Sequence, residues 1–322
     1  MSGIAEPSSA ATAVVRLYRL LLDREPDEAG LSYHVGLLER SADILDVVAA
    51  LTASPEFFAR RNPEDVVSAP RPEPTVTIDR AITVVDVGAQ RLSDQPHAYT
   101  VLETAGFELK VVGFEPLSER LEDRSKAEAD SNLRLLPDFI GDGSKQTFHI
   151  NNYDATSSLL PFNRNLTDAF VELKDLHTVR TEMAATRRID DVLSGSEPVD
   201  FLKLDIQGFE LKALQGAETL LQRTAVIHCE VSFAEIYEGQ CLFSEIETFL
   251  RARGFDFIDF MHAHRGGYVV PSGTVIGDRL LWADAVFFRH PEALDAASRS
   301  IQAMIAWHVY GKLGLAERLL TT

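Results

Sequence analysis

The stretch Val84-Val85-Asp86-Val87-Gly88-Ala89 decides the fold that we expect for this chain. Its valines favour an extended strand, because β-branched residues fit the surface of a pleated sheet. The glycine at its end permits a tight turn and lets the backbone approach a bound molecule closely. In an open parallel sheet, ligands bind beyond the carboxyl ends of the strands. The stretch therefore predicts a central strand with a binding site at Gly88.

Further strands are predicted after this one along the chain. Short β-branched runs alternate with amphipathic stretches, a pattern that is typical of βαβ units around a parallel sheet. A hairpin is expected to turn on Asp142-Gly143, since Asp-Gly is a strong hairpin signal. The predicted strands are 82–87, 109–115, 201–205, 225–231, 255–260 and 282–288.

The first sixty residues carry helix signals only. Apolar residues recur with helical spacing in Val14–Leu22 and in Leu31–Leu38, Ser41 can cap a third helix, and Ser54-Pro55 would open a fourth. The next segment is rich in proline and charge and has no periodicity, as in a linker. We therefore predict four parts: a helical module (1–61), a Pro-rich linker (62–79), an α/β domain (80–290) and a C-terminal helical appendage (291–322).

Composition limits the class of protein and its partners. The chain has 322 residues, of which 45% are hydrophobic and 25% charged, as in a globular protein. Its net charge of −18 argues against nucleic acids and anionic membranes as partners, since both attract clustered cations. No apolar run is long enough to span a membrane, and the N-terminus lacks the basic flank of a secretory signal. We expect a cytoplasmic protein, in which Cys229 and Cys241 form neither a disulfide framework nor a zinc site.

The turns after the first two strands distinguish between two cofactors. Gly113-Phe114-Glu115-Pro116 places a carboxylate at a strand end, where it can accept hydrogen bonds from both ribose hydroxyls. A nicotinamide dinucleotide would need a G-x-G-x-x-G turn for its pyrophosphate, whereas Gly88-Ala89-Gln90-Arg91-Leu92-Ser93 lacks both later glycines. S-adenosylmethionine has no phosphate, and Asp86 with the Gly88-Ala89 backbone suits its sulfonium and amino-acid groups. The residues favour S-adenosylmethionine and leave an NAD-dependent oxidoreductase as the alternative.

A resemblance to a known family rests on four stretches, of which the last is the most distinctive: Val85–Ala89, Gly113–Pro116, Ala155–Leu159 and Leu202-Lys203-Leu204-Asp205-Ile206-Gln207-Gly208-Phe209-Glu210-Leu211. Over about residues 82–290 the chain resembles the FkbM-type methyltransferases. These are class I S-adenosylmethionine enzymes that mostly methylate hydroxyl groups of secondary metabolites and sugars. The resemblance implies an α/β, Rossmann-like class I methyltransferase sheet, to which a small N-terminal all-α domain is attached.

The resemblance also implies where the cofactor binds. Family members usually follow the first Gly-Ala with Asn and soon another Gly, so Gln90-Arg91-Leu92 is a departure. That departure leaves a second alternative open, a non-catalytic scaffold protein that binds S-adenosylmethionine. The implied cofactor-binding residues are Asp86, Gly88, Ala89, Glu115, Pro116 and Asp205, with Asp142 reaching the adenine amino group.

Methyl transfer is an in-line displacement, so the enzyme mainly aligns the acceptor and removes its proton. Asp205 and Glu230 end consecutive predicted strands, and we predict that these two carboxyl groups are catalytic, with one of them as the general base. His262 and His264 are further base candidates. With no third ligand expected nearby, they do not predict a metal site.

The acceptor is expected to be a small molecule with a hydroxyl group. Segments 151–188, 232–242 and 262–279 overhang the strand ends, and long loops of this kind often bind substrates. Residues 12–60 resemble a small bacterial helical module of uncharacterised function, which implies no chemistry. We expect it to dock a protein partner or to mediate self-association.

Overall fold

A computed structural model describes residues 9–22, 24–41, 43–52, 74, 76–90, 96–128 and 132–321. It divides the chain into two compact units, Met1–Pro74 and Thr75–Thr322. Three of the predicted features lie outside the described residues: the fourth helix at Ser54-Pro55, most of the linker, and Arg91-Leu92.

The N-terminal unit consists, in its described part, of helices α1 (Ser9–Leu22), α2 (Glu28–Ser41) and α3 (Ile44–Thr52). The expectation that Ser41 caps the third helix is wrong, because this residue ends α2. Asp43 takes that role, with its Oδ1 accepting the Leu45 N–H at 2.9 Å. The core of this unit consists of Val14, Tyr18, Leu22, Val47 and Leu51. Val14 and Leu22 belong to the predicted apolar run, whereas Leu20 of the same run is exposed.

The second unit is built on a seven-stranded sheet with the order β3-β2-β1-β6-β7-β9-β8. Neighbouring strands from β3 to β7 pair in parallel, and only β9 runs in the opposite direction within this sheet. Strands β4 and β5 form a separate antiparallel pair. The strands are β1 (Ile82–Val87), β2 (Leu109–Phe114), β3 (Leu133–Leu136), β4 (Lys145–Asn151), β5 (Thr178–Ala185), β6 (Val199–Leu204), β7 (Thr224–Ser232), β8 (Phe255–Gly267) and β9 (Gly277–Arg289).

Helices cover both faces of the sheet. One face packs against α7 to α10, and the other packs against α4, α11 and α12. No helix in the described part of the chain is both long and apolar enough to cross a membrane. The helices are α4 (Thr100–Thr104), α5 (Ser118–Ala127), α6 (Arg164–Thr167), α7 (Ile189–Val192), α8 (Glu210–Gln215), α9 (Glu218–Leu221), α10 (Phe243–Arg251), α11 (Ala296–His308) and α12 (Leu313–Thr321).

Residues 291–322 belong to the second unit and not to a separate appendage. Ile301, Met304 and Ile305 of α11 are fully buried against the sheet. Burying a large apolar side chain stabilises a fold by about 1.5–3 kcal/mol. The two C-terminal helices therefore complete the core on one face of the sheet.

The hairpin predicted at Asp142-Gly143 does not form. The chain before it, β3, pairs with β2 in the main sheet, so its backbone groups are already used. Strand β4 instead pairs with β5, which lies about thirty residues further along the chain. Asp142 thus lies in a connecting loop, where its Oδ1 accepts hydrogen bonds from both the backbone N–H and the hydroxyl of Ser144.

Candidate active site

A cavity opens at the carboxyl ends of β1, β2 and β6, the edge at which the sequence predicted a binding site. Parallel pairing brings these ends together, because Val87 lies opposite Phe114 on one side and Leu204 on the other. We call it the outer cavity. Its lining includes Gly88, Glu115, Pro116 and Asp205 from the predicted site, together with Gln90.

The turn after β1 requires a glycine. Gly88 has a φ of +81°, and a Cβ at this position would lie 1.8 Å from the backbone oxygen of Asp205. The N–H groups of Gly88 and Ala89 both donate to the Phe114 carbonyl, at 3.1 and 2.9 Å. Ala89 is fully buried and does not line the outer cavity. The turn is thus held tightly between β2 and the end of β6.

Two buried cations hold the same turn from beneath. The Lys203 ammonium donates to the Gly88 carbonyl at 3.1 Å, and the Arg124 guanidinium donates to the Ala89 carbonyl at 2.9 Å. Arg124 also donates to Asp86 Oδ2 at 2.8 Å, and Lys203 lies 3.5 Å from Asp86 Oδ1. Through these contacts, Arg124 and Lys203 connect the turn to the carboxylate of Asp86, which lies beneath it.

Asp86 does not line the outer cavity, although the resemblance implied that it contacts the cofactor. Side chains alternate along a strand, so Asp86 points to the same face as Val84, where Tyr99 donates to its Oδ2 at 2.8 Å. Burial alone would raise the pKa of Asp86. Lys203, His97 and Arg124 outweigh that effect and keep the pKa below its ordinary value. Asp86 therefore anchors the turn as a buried carboxylate.

Glu115 faces the outer cavity from the end of β2. It is 4% exposed, and its Oε1 accepts the Leu117 N–H at 2.8 Å. Burial raises the pKa of Glu115 to about 7, even though this hydrogen bond acts in the opposite direction. The carboxyl group is thus only partly ionised near neutral pH.

Asp142, which the resemblance implied to reach the adenine amino group, does not line the outer cavity, whereas Asp138 does. Asp142 is absent from the lining of the outer cavity, because the 140–145 loop turns it towards Ser144 and towards Lys212, 3.3 Å away. Asp138, which precedes this loop, lines the cavity with the neighbouring Phe139 and Ile140. Sequence reasoning missed Asp138 because it assigned the loop to a hairpin.

Gln207, which was not among the predicted site residues, is hydrogen-bonded to both predicted catalytic carboxyl groups, those of Asp205 and Glu230. Gln207 Nε2 donates to Asp205 Oδ1 at 2.9 Å and to Glu230 Oε2 at 3.0 Å, while Tyr237 donates to Gln207 Oε1 at 2.9 Å. Gln207 has a φ of +55°, which is unusual for a residue with a side chain. The signal was present in the sequence, since Gln207 lies in the most distinctive of the four stretches.

The same network has two titratable neighbours with raised pKa values. Burial raises the pKa of Glu230 well above its ordinary value, and the carboxyl groups of Asp205 and Glu210 raise it further. Burial also raises the pKa of Glu210 to about 7. The Oε1 of Glu210 accepts the N–H groups of Ile206 and Gly208, at 2.9 and 3.1 Å, so this residue fixes the loop after β6. Burial and the neighbouring carboxyl groups thus raise the pKa of Glu230, which favours its neutral form.

The histidines proposed as further base candidates lie on the long β8–β9 hairpin, and neither lines the outer cavity. His262 Nδ1 lies 3.0 Å from Asp284 Oδ2 on the surface. His264 stacks on Trp282 with ring centres 3.9 Å apart. Within the described ranges, no group of three or more His, Cys, Asp or Glu residues is arranged to hold a metal ion.

The fold and the cavity define a class of protein. This strand order with one reversed strand is that of a class I methyltransferase. The carboxylate at the end of β2, beside a glycine turn, also belongs to that arrangement. A family model described as the methyltransferase FkbM domain matches residues 86–257, more than half of the chain. The chain belongs to the FkbM methyltransferase family, and its cofactor is S-adenosylmethionine. Residues 5–61 match a domain of unknown function, DUF4214.

Individual relatives are more distant. The chain is 31% identical over 114 residues to the 2-O-methyltransferase NoeI of Sinorhizobium fredii (strain NBRC 101917 / NGR234), a match that covers 34% of this chain and 47% of that protein. The chain thus spans about half the length of this relative. Methyltransferase FkbM from Methylobacillus flagellatus KT is 16% identical in structural alignment, over 85% of this chain and 58% of that one, with a TM-score of 0.37. A TehB-like methyltransferase from Corynebacterium glutamicum ATCC 13032 Kitasato is 11% identical, over 79% of this chain and 99% of that one, with a TM-score of 0.31.

The outer cavity fits this cofactor. Glu115 offers a carboxyl oxygen at the strand end, and the glycine turn brings backbone to the cavity without a side chain. Apolar side chains of Leu117, Ile140 and Phe148 give the remaining wall a surface suited to a flat heterocycle.

Proposed function

We propose that this protein transfers a methyl group from S-adenosylmethionine to a hydroxyl group of a small natural product or sugar. The observation that carries the proposal is the network of Asp205, Gln207 and Glu230, in which Asp205 and Gln207 line the outer cavity and Glu230 is bound to Gln207. One relative, NoeI, is a 2-O-methyltransferase, which supports oxygen as the methylated atom.

The residues of the outer cavity would hold the cofactor as follows. Glu115 would accept the ribose hydroxyls, and the backbone of Gly88 would adjoin the amino-acid end. Pro116, Ile140 and Asp138, which also line the cavity, would adjoin the adenine. When bound, S-adenosylmethionine supplies a methyl carbon that its sulfonium group has already activated, so the protein needs no further electrophile.

Asp205 is the general base in this proposal. Its Oδ1 is held by the Gln207 amide, and its Oδ2 lies 3.5 Å from the Lys203 ammonium. The acceptor oxygen would form its bond to the methyl carbon as the methyl–sulfur bond breaks, its proton would pass to Asp205, and S-adenosylhomocysteine would leave. A positioned base contributes about 100- to 10,000-fold to such a step.

Glu230 is, in this proposal, the one of the two predicted carboxyl groups that does not act as the base. A carboxyl group whose pKa is raised keeps its proton more readily, and in that form it can donate a hydrogen bond. We therefore propose that Glu230 orients the acceptor as a hydrogen-bond donor. This division of roles follows from the environments of the two carboxyl groups, since Glu230 is surrounded by other acidic groups.

The first experiment is calorimetric titration of the purified protein with S-adenosylmethionine, S-adenosylhomocysteine and NAD. We expect saturable binding of the first two ligands and none of NAD. Glu115→Ala should weaken binding at least tenfold, whereas Glu119→Ala, an exposed carboxylate on the next helix, should leave it unchanged. NAD binding alone would favour an oxidoreductase, and a folded protein that binds none of the three would refute the proposal.

An assay of methyl transfer distinguishes an enzyme from a scaffold protein that only binds the cofactor. Release of S-adenosylhomocysteine is measured with a set of hydroxylated acceptors, and product oxygen–methyl bonds are identified by mass spectrometry. Tight cofactor binding without turnover on any acceptor would favour the scaffold.

We also propose that the N-terminal unit mediates self-association or docks a protein partner. It has a core of its own, and apolar Leu20 and Leu45 are 78% and 65% exposed. Deletion of residues 1–74 should leave binding of S-adenosylhomocysteine intact while lowering the mass measured by light scattering or abolishing partner capture. Unchanged mass, partner binding and activity would contradict this role.

A further inference from the structure

Strand β5 has one edge that no described strand covers. It pairs with β4 alone, and residues 178–185 form no further backbone-to-backbone hydrogen bond with any described residue. A free edge of this kind presents N–H and C=O groups to which another strand can bind. Proteins often block such an edge with proline, which β5 does not contain. The edge is therefore open to a partner.

The backbone groups of Thr181 point out from this free edge. His149 lies opposite Thr181 on β4, and its N–H and carbonyl are both bonded to Ser158 on the other side, at 2.8 and 3.1 Å. In an antiparallel pair, opposite residues that do not bond to each other direct their backbone groups away from the pair. The N–H and the carbonyl of Thr181 are therefore directed away from β4, towards the free edge.

The side chains around Thr181 are complementary to themselves when the strand direction is reversed: Val179-Arg180-Thr181-Glu182-Met183. In an antiparallel pair of two β5 strands centred on Thr181, Arg180 of each copy lies opposite Glu182 of the other. Opposite charges directly across a strand pair stabilise it, and like charges destabilise it. Moving the centre by one residue would place Arg180 opposite Arg180, or Glu182 opposite Glu182. The charges thus favour the register centred on Thr181.

The side chains of this segment are accessible to a second copy. Arg180 Nε and Glu182 Oε1 form an ion pair at 3.2 Å within the strand, and their side chains are 65% and 55% exposed. Val179 and Met183, which flank them, are 63% and 74% exposed although both are apolar. The register with β4 shifts at Val179, so the regular strand begins at Arg180. Pairing about Thr181 would bring Val179 of each copy next to Met183 of the other and cover both.

We propose that β5 is a self-association surface, at which two copies of this chain join edge to edge about a two-fold axis at Thr181. The two β4–β5 pairs then form one four-stranded antiparallel sheet. Because β4 carries Phe148 into the wall of the outer cavity, the joined sheet lies beside the cofactor site of each copy. This surface goes beyond the proposed function and does not depend on which molecule is methylated.

Cysteine crosslinking of the full-length protein tests the register. Opposite residues that bond across antiparallel strands have Cα atoms about 5.5 Å apart, a distance that a disulfide can span. Thr181→Cys should therefore give a disulfide-linked dimer under mild oxidation, seen as a doubled mass on a non-reducing gel. Both variants retain the native Cys229 and Cys241, so these contribute the same background.

Met183→Cys is the matched control for the crosslink. In the proposed register, the two copies of this position are four residues apart along the strands, or about 14 Å, which is too far for a disulfide. This variant should stay unlinked under the same oxidation. No linked dimer from Thr181→Cys, or as much from Met183→Cys, would overturn the proposal.

Charge reversal tests the pairing of Arg180 with Glu182. Arg180→Glu alone and Glu182→Arg alone each place like charges opposite each other, so each should raise the dissociation constant of the dimer about tenfold or more in sedimentation velocity. An equimolar mixture of the two variants restores opposite charges at both positions and should regain the wild-type mass.

The mixture also separates this surface from other causes of a change in mass. The N-terminal unit is the same in every variant, so association through it is a constant background, and misfolding would not be reversed by mixing. A mass that both substitutions leave unchanged, or a mixture no heavier than its two components, would overturn the proposal.

Discussion

Cofactor affinity should depend on pH through Glu115. This carboxyl group is 4% exposed, and burial raises its pKa to about 7 in the free protein. Ribose hydroxyls donate hydrogen bonds, so they favour the ionised form, and the affinity is fully present above the raised pKa and is lost as the pH falls through it. At pH 8 about one tenth of the groups is neutral, and at pH 6 about nine tenths. The dissociation constant should therefore rise about tenfold from pH 8 to pH 6, or about 1.4 kcal/mol.

Calorimetric titration with S-adenosylhomocysteine at pH 6, 7 and 8 and constant ionic strength measures this change. Glu115→Gln is the matched variant, because it keeps the shape of the side chain but cannot ionise. It should bind more weakly at pH 8 and show little change towards pH 6. Glu210, whose pKa is also raised to about 7, remains in both proteins, so the difference between their slopes isolates Glu115. A flat profile in the wild type, or an equal slope in Glu115→Gln, would refute the reasoning.

Three further predictions concern the network and the turn. Asp205→Asn should lower the rate of methyl transfer by about 100- to 10,000-fold. Glu230→Gln, which mimics the neutral acid, should lower this rate less than about tenfold. Equal losses of the two variants in steady-state kinetics would contradict the assigned roles. Gly88→Ala should abolish binding of S-adenosylhomocysteine by calorimetry, because its Cβ would lie 1.8 Å from the Asp205 carbonyl oxygen, and normal affinity would contradict this packing. Arg124→Met leaves the buried Asp86 carboxylate without its guanidinium partner and should lower the free energy of unfolding by about 3–5 kcal/mol. This loss should appear as a lower melting temperature, which a second substitution in the same chain, Asp86→Asn, should partly restore.

Six of the seven strands of the main sheet were predicted, and the exception is β3, a four-residue strand in which no side chain is fully buried. The predicted strands carry apolar residues on both faces: β6, for example, is buried along nearly all of its length, and its apolar residues are visible in the sequence although Asp200 and Lys203 interrupt them. Strand β5 was missed for the opposite reason, because most of its side chains are exposed and only Ala184 is buried. A strand with a single buried side chain leaves little pattern in the sequence.

Side-chain direction limited the prediction of the site. Glu115 and Asp205 lie at strand ends beside the cavity, as their positions in the sequence indicated. Asp86 is only two residues from Gly88, but alternation sends it beneath the turn towards Tyr99. The partner that holds it there, Arg124, lies thirty-eight residues further along the chain, and no local motif connects the two.

Of the departure at Gln90-Arg91-Leu92, the structure describes Gln90. Later glycines in such a loop would let the backbone adopt its geometry unaided. In this chain the carbonyls of Gly88 and Ala89 are instead held by Lys203 and Arg124, two cations that Asp86 keeps in place. Gln90 then follows a turn that is already fixed, and it contributes a side chain to the lining of the outer cavity. The loss of the second glycine is thus compatible with a cofactor site, since charge beneath the loop supplies the constraint that its sequence lacks.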